Sequence, residues 1–104
     1  MKHVKTLEEL NKILSANKLV VLKFSAEWCG PCKRIQGDME KLANANPDII
    51  FCHIDVDEAQ EIAVKYNISA MPTLKFIKEC NIVSEIVGAD IASIIKKVAE
   101  LKNC

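Results

Sequence analysis

Apolar positions along the chain follow two rhythms, one near 3.6 residues and one of unbroken short runs. Thr6-Leu7-Glu8-Glu9 has the spacing of a capping box, and Leu7, Leu10, Ile13 and Leu14 continue from it at helical intervals. Leu19-Val20-Val21-Leu22 with Phe24 is a near-continuous run, predicting a strand buried on both faces. From Pro31, Ile35, Met39 and Leu42 mark one side of a second helix, ended by Asn44-Ala45-Asn46-Pro47. Residues 49–54 form another buried strand, running into Asp55-Val56-Asp57, and a short helix is expected around 58–66. Residues 73–78 and 82–87 are β-rich runs separated by a turn, the pattern of a hairpin. Ile91, Ile94, Ile95, Val98 and Leu101 give a closing amphipathic helix.

With a short strand at the start, the order is β, α, β, α, β, α, β, β, α. Strands separated by helices need parallel crossovers, whereas the terminal hairpin is antiparallel. An α/β fold with a mixed sheet and helices on both faces satisfies that order. The 104 residues suit one domain, and no repeat, linker or composition shift divides 1–104.

Half of the residues are apolar and 27% are charged, which excludes a disordered or low-complexity chain. Fourteen basic residues balance fourteen acidic ones, so net charge points neither to nucleic acid nor to an anionic membrane. The first residues lack the apolar core of a secretory signal, and no run spans a bilayer. A cytoplasmic location is therefore expected. There the five cysteines are core filler, metal ligands or redox groups rather than a disulfide framework.

Trp28-Cys29-Gly30-Pro31-Cys32 stands where a strand gives way to a helix. Half a zinc site has the same spacing, but structural zinc takes four ligands. No second Cys-x-x-Cys exists, and His3 and His53 lie singly in unrelated segments. Pro31 suits the first turn of a helix and puts Cys29 at its cap, where unpaired N–H groups favour a thiolate. Cys32, one turn on, is placed to close a disulfide with Cys29 and to resolve a mixed one.

At this point the chain resembles the thioredoxin family. Phe24-Ser25-Ala26-Glu27-Trp28-Cys29-Gly30-Pro31-Cys32-Lys33 follows that family's signature, and Ile54-Asp55-Val56-Asp57, Ala70-Met71-Pro72-Thr73 and Val87-Gly88-Ala89 follow its later landmarks in order. The resemblance implies a thioredoxin fold, with a mixed five-stranded sheet flanked by four helices. It implies protein-disulfide reduction, Cys29 attacking and Cys32 resolving, with no bound cofactor or metal. Electrons would come from NADPH through a thioredoxin reductase, and clients would be disulfide-bearing proteins such as peroxiredoxins. Met71-Pro72 would be a cis peptide facing Cys29, and its backbone would pair with an extended client segment. Trp28 would shape the client surface, ordinary core burial being the other reading. Gly88 would admit a client to the backbone, or would simply serve a turn.

Four positions depart from the pattern. Lys23 stands where the family usually has a buried Asp, and a buried ammonium must snorkel, pair or lose its proton. One expectation places it near Cys32, stabilising that thiolate or accepting its proton; the other lets it reach the surface. His53, on the face of Ile49 and Phe51, either supplies the missing base or is a solvated strand-end imidazole. Gly37 replaces a kinking proline, so a bend is less firmly enforced there. Cys80 occupies a turn position where glycine is common, and is expected to be exposed. Cys52 reads as inert core, and Cys104 as accessible at the chain end. A monomer is expected, with Cys80 or Cys104 the candidates for a disulfide-linked dimer. Lys33, Arg34 and Lys41 read as a solvated helix face. A second functional reading, a redox-gated binding module, would use the same surface without turnover.

Overall fold

A computed structural model describes residues 1–103. The strands are β1 (Lys2–His3), β2 (Leu19–Ser25), β3 (Ile50–Asp55), β4 (Thr73–Lys78) and β5 (Asn81–Val87). The helices are α1 (Leu7–Ala16), α2 (Gly30–Arg34), α3 (Gln36–Ala45), α4 (Gln60–Lys65) and α5 (Ile91–Asn103). The sheet order is β1-β3-β2-β4-β5; β1–β3 and β3–β2 pair in parallel, and β2–β4 and β4–β5 pair antiparallel.

Alternation along the central strands builds two cores. Val20, Leu22, Phe24, Cys52 and Ile54 face α1 and α4, where Leu10, Ile13 and Ile62 meet them. Val21, Phe51, Leu74 and Phe76 face the other way, onto Ile35, Met39, Ile94, Val98 and Leu101. Both faces of β2 are therefore covered, which is why its sequence is an apolar run rather than an alternation. Lys23, between Leu22 and Phe24, points into the layer under α2 and α3.

Local chemistry sets the boundaries. Thr6 accepts the Glu9 N–H at 3.1 Å and starts α1. The helix expected from Pro31 is interrupted at Ile35 (φ −93°, ψ −3°), whose N–H is shared by the Lys33 and Pro31 carbonyls. There are thus five helical segments where four were expected. The interruption falls two residues before Gly37, which sits inside the first turn of α3. The β4–β5 turn holds Glu79 and Cys80 at φ 50° and 68°, the left-handed pair a tight two-residue hairpin uses. Among the described residues, no helix is long and apolar enough to cross a membrane.

Candidate active site

Cys29 ends the loop after β2 and caps α2, with Cys32 one turn along. Their Cα atoms are 5.3 Å apart and their sulfurs are joined in a disulfide. The Cys32 N–H points at the Cys29 sulfur, 3.2 Å away, so the cap expected from sequence is formed. That donor stabilises negative charge on Cys29 once the pair is reduced. Cys32 is fully buried and Cys29 is 5% exposed, the outer sulfur of the two. Ala26, Val56 and Met71 pack around them.

Trp28 is 69% exposed, so its core-burial reading fails. Its indole N–H donates to Asp57 Oδ2 at 2.9 Å, which fixes the ring across the sheet end. Asp55 in turn accepts the Asp57 N–H at 2.8 Å, holding that loop in shape. The Met71-Pro72 peptide is cis, and Met71 lies against the disulfide. Gly88 has φ 111° and donates its N–H to the Pro72 carbonyl at 2.8 Å. Its glycine therefore answers a backbone need, since side-chain-bearing residues rarely take that conformation.

Beneath the pair lies Lys23, 1% exposed, so it does not reach the surface. Its Nζ donates to the Cys32 carbonyl at 3.1 Å and to Gln36 Oε1. Gln36 passes the network on, donating to Glu40 Oε1 at 2.8 Å. Desolvation lowers the Lys23 pKa from 10.5 to about 8, with the Glu40 carboxylate pulling the other way. Neither Gln36 nor Glu40 was marked by the sequence reading, although each is one turn beyond the last on the helix face of Cys32. Asp57 was read only as a family landmark.

His53 is directly across from Lys23 in the β2–β3 register. It is half-buried rather than solvated, tilted against His3 with ring centres 4.8 Å apart. Its Nδ1 is buried without a partner. Burial first, then the Lys23 and His3 charges, push its pKa below the ordinary imidazole value. His53, Lys23, Gln36 and Cys32 line one cavity of about 210 Å³.

The remaining cysteines separate. Cys52 is fully buried, its thiol pushed up to about 12 by burial, and is inert core. Cys80 is exposed, its thiol donating to the Leu14 carbonyl at 3.3 Å. Cys104 lies outside the described residues. Lys33, Arg34 and Lys41 are exposed, as a solvated face requires. Among the described residues, no group of three or more His, Cys, Asp or Glu side chains could hold a metal ion.

The thioredoxin family model matches residues 2–100. The chain belongs to the thioredoxin family. It is 42% identical over 95 residues to thioredoxin-1 of Saccharomyces cerevisiae, covering 91% of this chain and 92% of that protein. The X-ray structure of Fasciola hepatica thioredoxin superposes with a TM-score of 0.94 at 37% identity, covering 96% of this chain and 98% of that one. A chain from a study of thiol resolution in yeast mitochondrial 1-Cys peroxiredoxin via glutathione and thioredoxin systems has a TM-score of 0.91 at 33% identity, covering 96% and 94%. With its Cys29–Cys32 pair on a thioredoxin fold, the protein is a thiol–disulfide oxidoreductase. Thioredoxins act as disulfide reductases and carry no bound cofactor; their partners are a reductase and disulfide-bearing clients.

Proposed function

We propose that this thioredoxin, a single domain over 1–104, reduces client disulfides with Cys29 as the attacking and Cys32 as the resolving sulfur. The observation that carries the assignment is the disulfide at the start of α2, with Cys29 the less buried of the pair and Met71 packed against it. The Cys29 thiolate attacks a client disulfide, forming a mixed disulfide and releasing one client thiolate. The Cys32 thiolate then attacks the Cys29 sulfur, closing the Cys29–Cys32 disulfide and releasing the second client thiolate.

Trp28, Met71, Pro72 and Gly88 form the client surface. An extended client segment pairs with the backbone near Pro72, adding a strand-like contact. Gly30 and Pro31 hold the two sulfurs one turn apart, and Lys23 and His53 are neighbours of Cys32. NADPH, through a thioredoxin reductase, returns the disulfide to the dithiol. The clients include peroxiredoxins, a class represented in the yeast work on thiol resolution. The protein works in the cytoplasm as a monomer, and a disulfide-linked dimer would form through Cys80, which is exposed, or through Cys104.

Trapping tests the two roles. Cys32→Ser should accumulate client proteins as mixed disulfides that a reductant releases, whereas Cys29→Ser should accumulate none. Equal trapping by both variants would overturn the assignment.

A further inference from the structure

Among the described residues two lysines are buried, and one of them is ion-paired with a carboxylate. Lys75 is paired with Glu85 on the neighbouring strand. Lys23 has two neutral acceptors, the Cys32 carbonyl and Gln36 Oε1, and the acid of its network, Glu40, is reached only through Gln36. An ammonium has three N–H donors, so one remains beyond those two bonds. Buried charges in folded proteins are ordinarily paired, because unpaired ones are costly.

The other groups around the cavity do not fill the gap. His53 faces Lys23 but is held in its neutral form at pH 7, and His3 lies on the far side of it. Asp55 turns its Oδ1 to the Asp57 and Glu58 N–H groups. Glu58 is engaged by Lys5, while Glu27 and Lys33 are exposed on the rim. Only one group bordering this cavity gains negative charge during the reaction cycle: Cys32, whose carbonyl Lys23 already holds.

We infer that the Lys23 ammonium is the counter-ion of the Cys32 thiolate, unpaired while the disulfide is closed and paired when it opens. The inference rests on Cys32 being the resolving sulfur. On reduction, the disulfide takes up two electrons and the S–S bond breaks. The Cys32 sulfur leaves that bond as a thiolate beside the ammonium, in protonation equilibrium with solvent. That thiolate attacks the Cys29 sulfur of the mixed disulfide, and Lys23 keeps its own proton throughout. Lys23 is thus a positioning residue for charge. Its effect is opposite in sign to that of a buried carboxylate, which would repel the thiolate.

An opposite charge at close range lowers a thiol pKa by about 1–3 units. Thiolate fraction changes about tenfold per unit, but nucleophilicity falls as basicity falls, with a Brønsted slope of about 0.4–0.5. Removing the charge should therefore slow resolution at pH 7 by about three- to fourfold for each unit, or about three- to sixtyfold across that range.

The test uses the full chain carrying Cys80→Ser and Cys104→Ser, reduced and mixed with 5,5′-dithiobis(2-nitrobenzoate) in a stopped-flow instrument. Cys29 attack releases one thionitrobenzoate and leaves a mixed disulfide; Cys32 attack releases the second. The second phase is followed from pH 5 to 10 in this background, in Lys23→Met and in Lys23→Arg, each checked for native far-ultraviolet dichroism. The expected result is a second phase about three- to sixtyfold slower at pH 7 in Lys23→Met, with its midpoint raised by about one to three units. Lys23→Arg should restore the low midpoint. A Lys23→Met midpoint equal to that of the parent, or a Lys23→Arg midpoint equal to that of Lys23→Met, overturns the inference. A parent chain that releases only one thionitrobenzoate overturns the resolving role of Cys32 and the inference with it.

Discussion

Replacing Lys23 by methionine, in the disulfide form, should change how stability depends on pH. The folded chain releases the Lys23 proton near pH 8, whereas the unfolded lysine keeps it to about 10.5. Between those values unfolding takes up a proton, so this group makes stability rise with pH; below 8 its full cost is present. At about 1.4 kcal/mol for each pH unit between 8 and 10.5, the cost of holding the ammonium at neutral pH is about 3 kcal/mol. Methionine has nearly the same length and no charge, so it removes this term while filling the space. Urea unfolding of both proteins at pH 7 and pH 10 isolates the effect, since Cys52, Tyr66 and the other titrating groups are common to both. Relative to wild type, Lys23→Met should be more stable by about 2–3 kcal/mol more at pH 7 than at pH 10. An equal difference at the two pH values would refute the argument that burial of the Lys23 cation outweighs the pull of Glu40.

Three other substitutions test separate parts of the account. Cys80→Gly removes a side chain from a left-handed turn position and should stabilise by about 1 kcal/mol in chemical denaturation, less the thiol contact to Leu14. Gly37→Ala should stabilise by about 0.5–1 kcal/mol, because a methyl group there meets no atom within 4 Å beyond its chain neighbours and its own helix backbone; a lower melting temperature would contradict this. His53→Gln should flatten the loss of stability on acidification. The His53 pKa is lowered by folding, so its contribution is complete above about pH 6.5 and is lost as the pH falls below that value, as unfolding at pH 7 and pH 5 would show.

The fold was legible where sequence pattern and burial coincide. β2 and β3 are apolar because helices cover both faces, and the Thr6 side chain caps the start of α1 as its spacing suggests, although Glu9 turns back to the Lys5 N–H rather than that of Thr6. The interruption at Ile35 was not legible, since Arg34, Ile35 and Gln36 all tolerate a helix and Gly37, the local weak point, is not where the break occurs. At the site, the cysteine pair announced itself by spacing and by the proline between its members. The surroundings of Lys23 did not, because its alternatives differ only in whether the ammonium reaches water. That is decided by α3 packing over β2, which brings Gln36 and Glu40 to it from thirteen and seventeen residues away in sequence. Trp28 escaped the core for a similar reason, its ring being held by Asp57 twenty-nine residues on.

The most direct test of the central claim is dithiothreitol-driven reduction of insulin disulfides by wild type, Cys29→Ser and Cys32→Ser. The account predicts rapid turnover by wild type and none above the dithiothreitol background by Cys29→Ser. Cys32→Ser should stall after forming a mixed disulfide. Turnover by Cys29→Ser at the wild-type rate, or none by a folded wild-type chain, would contradict it.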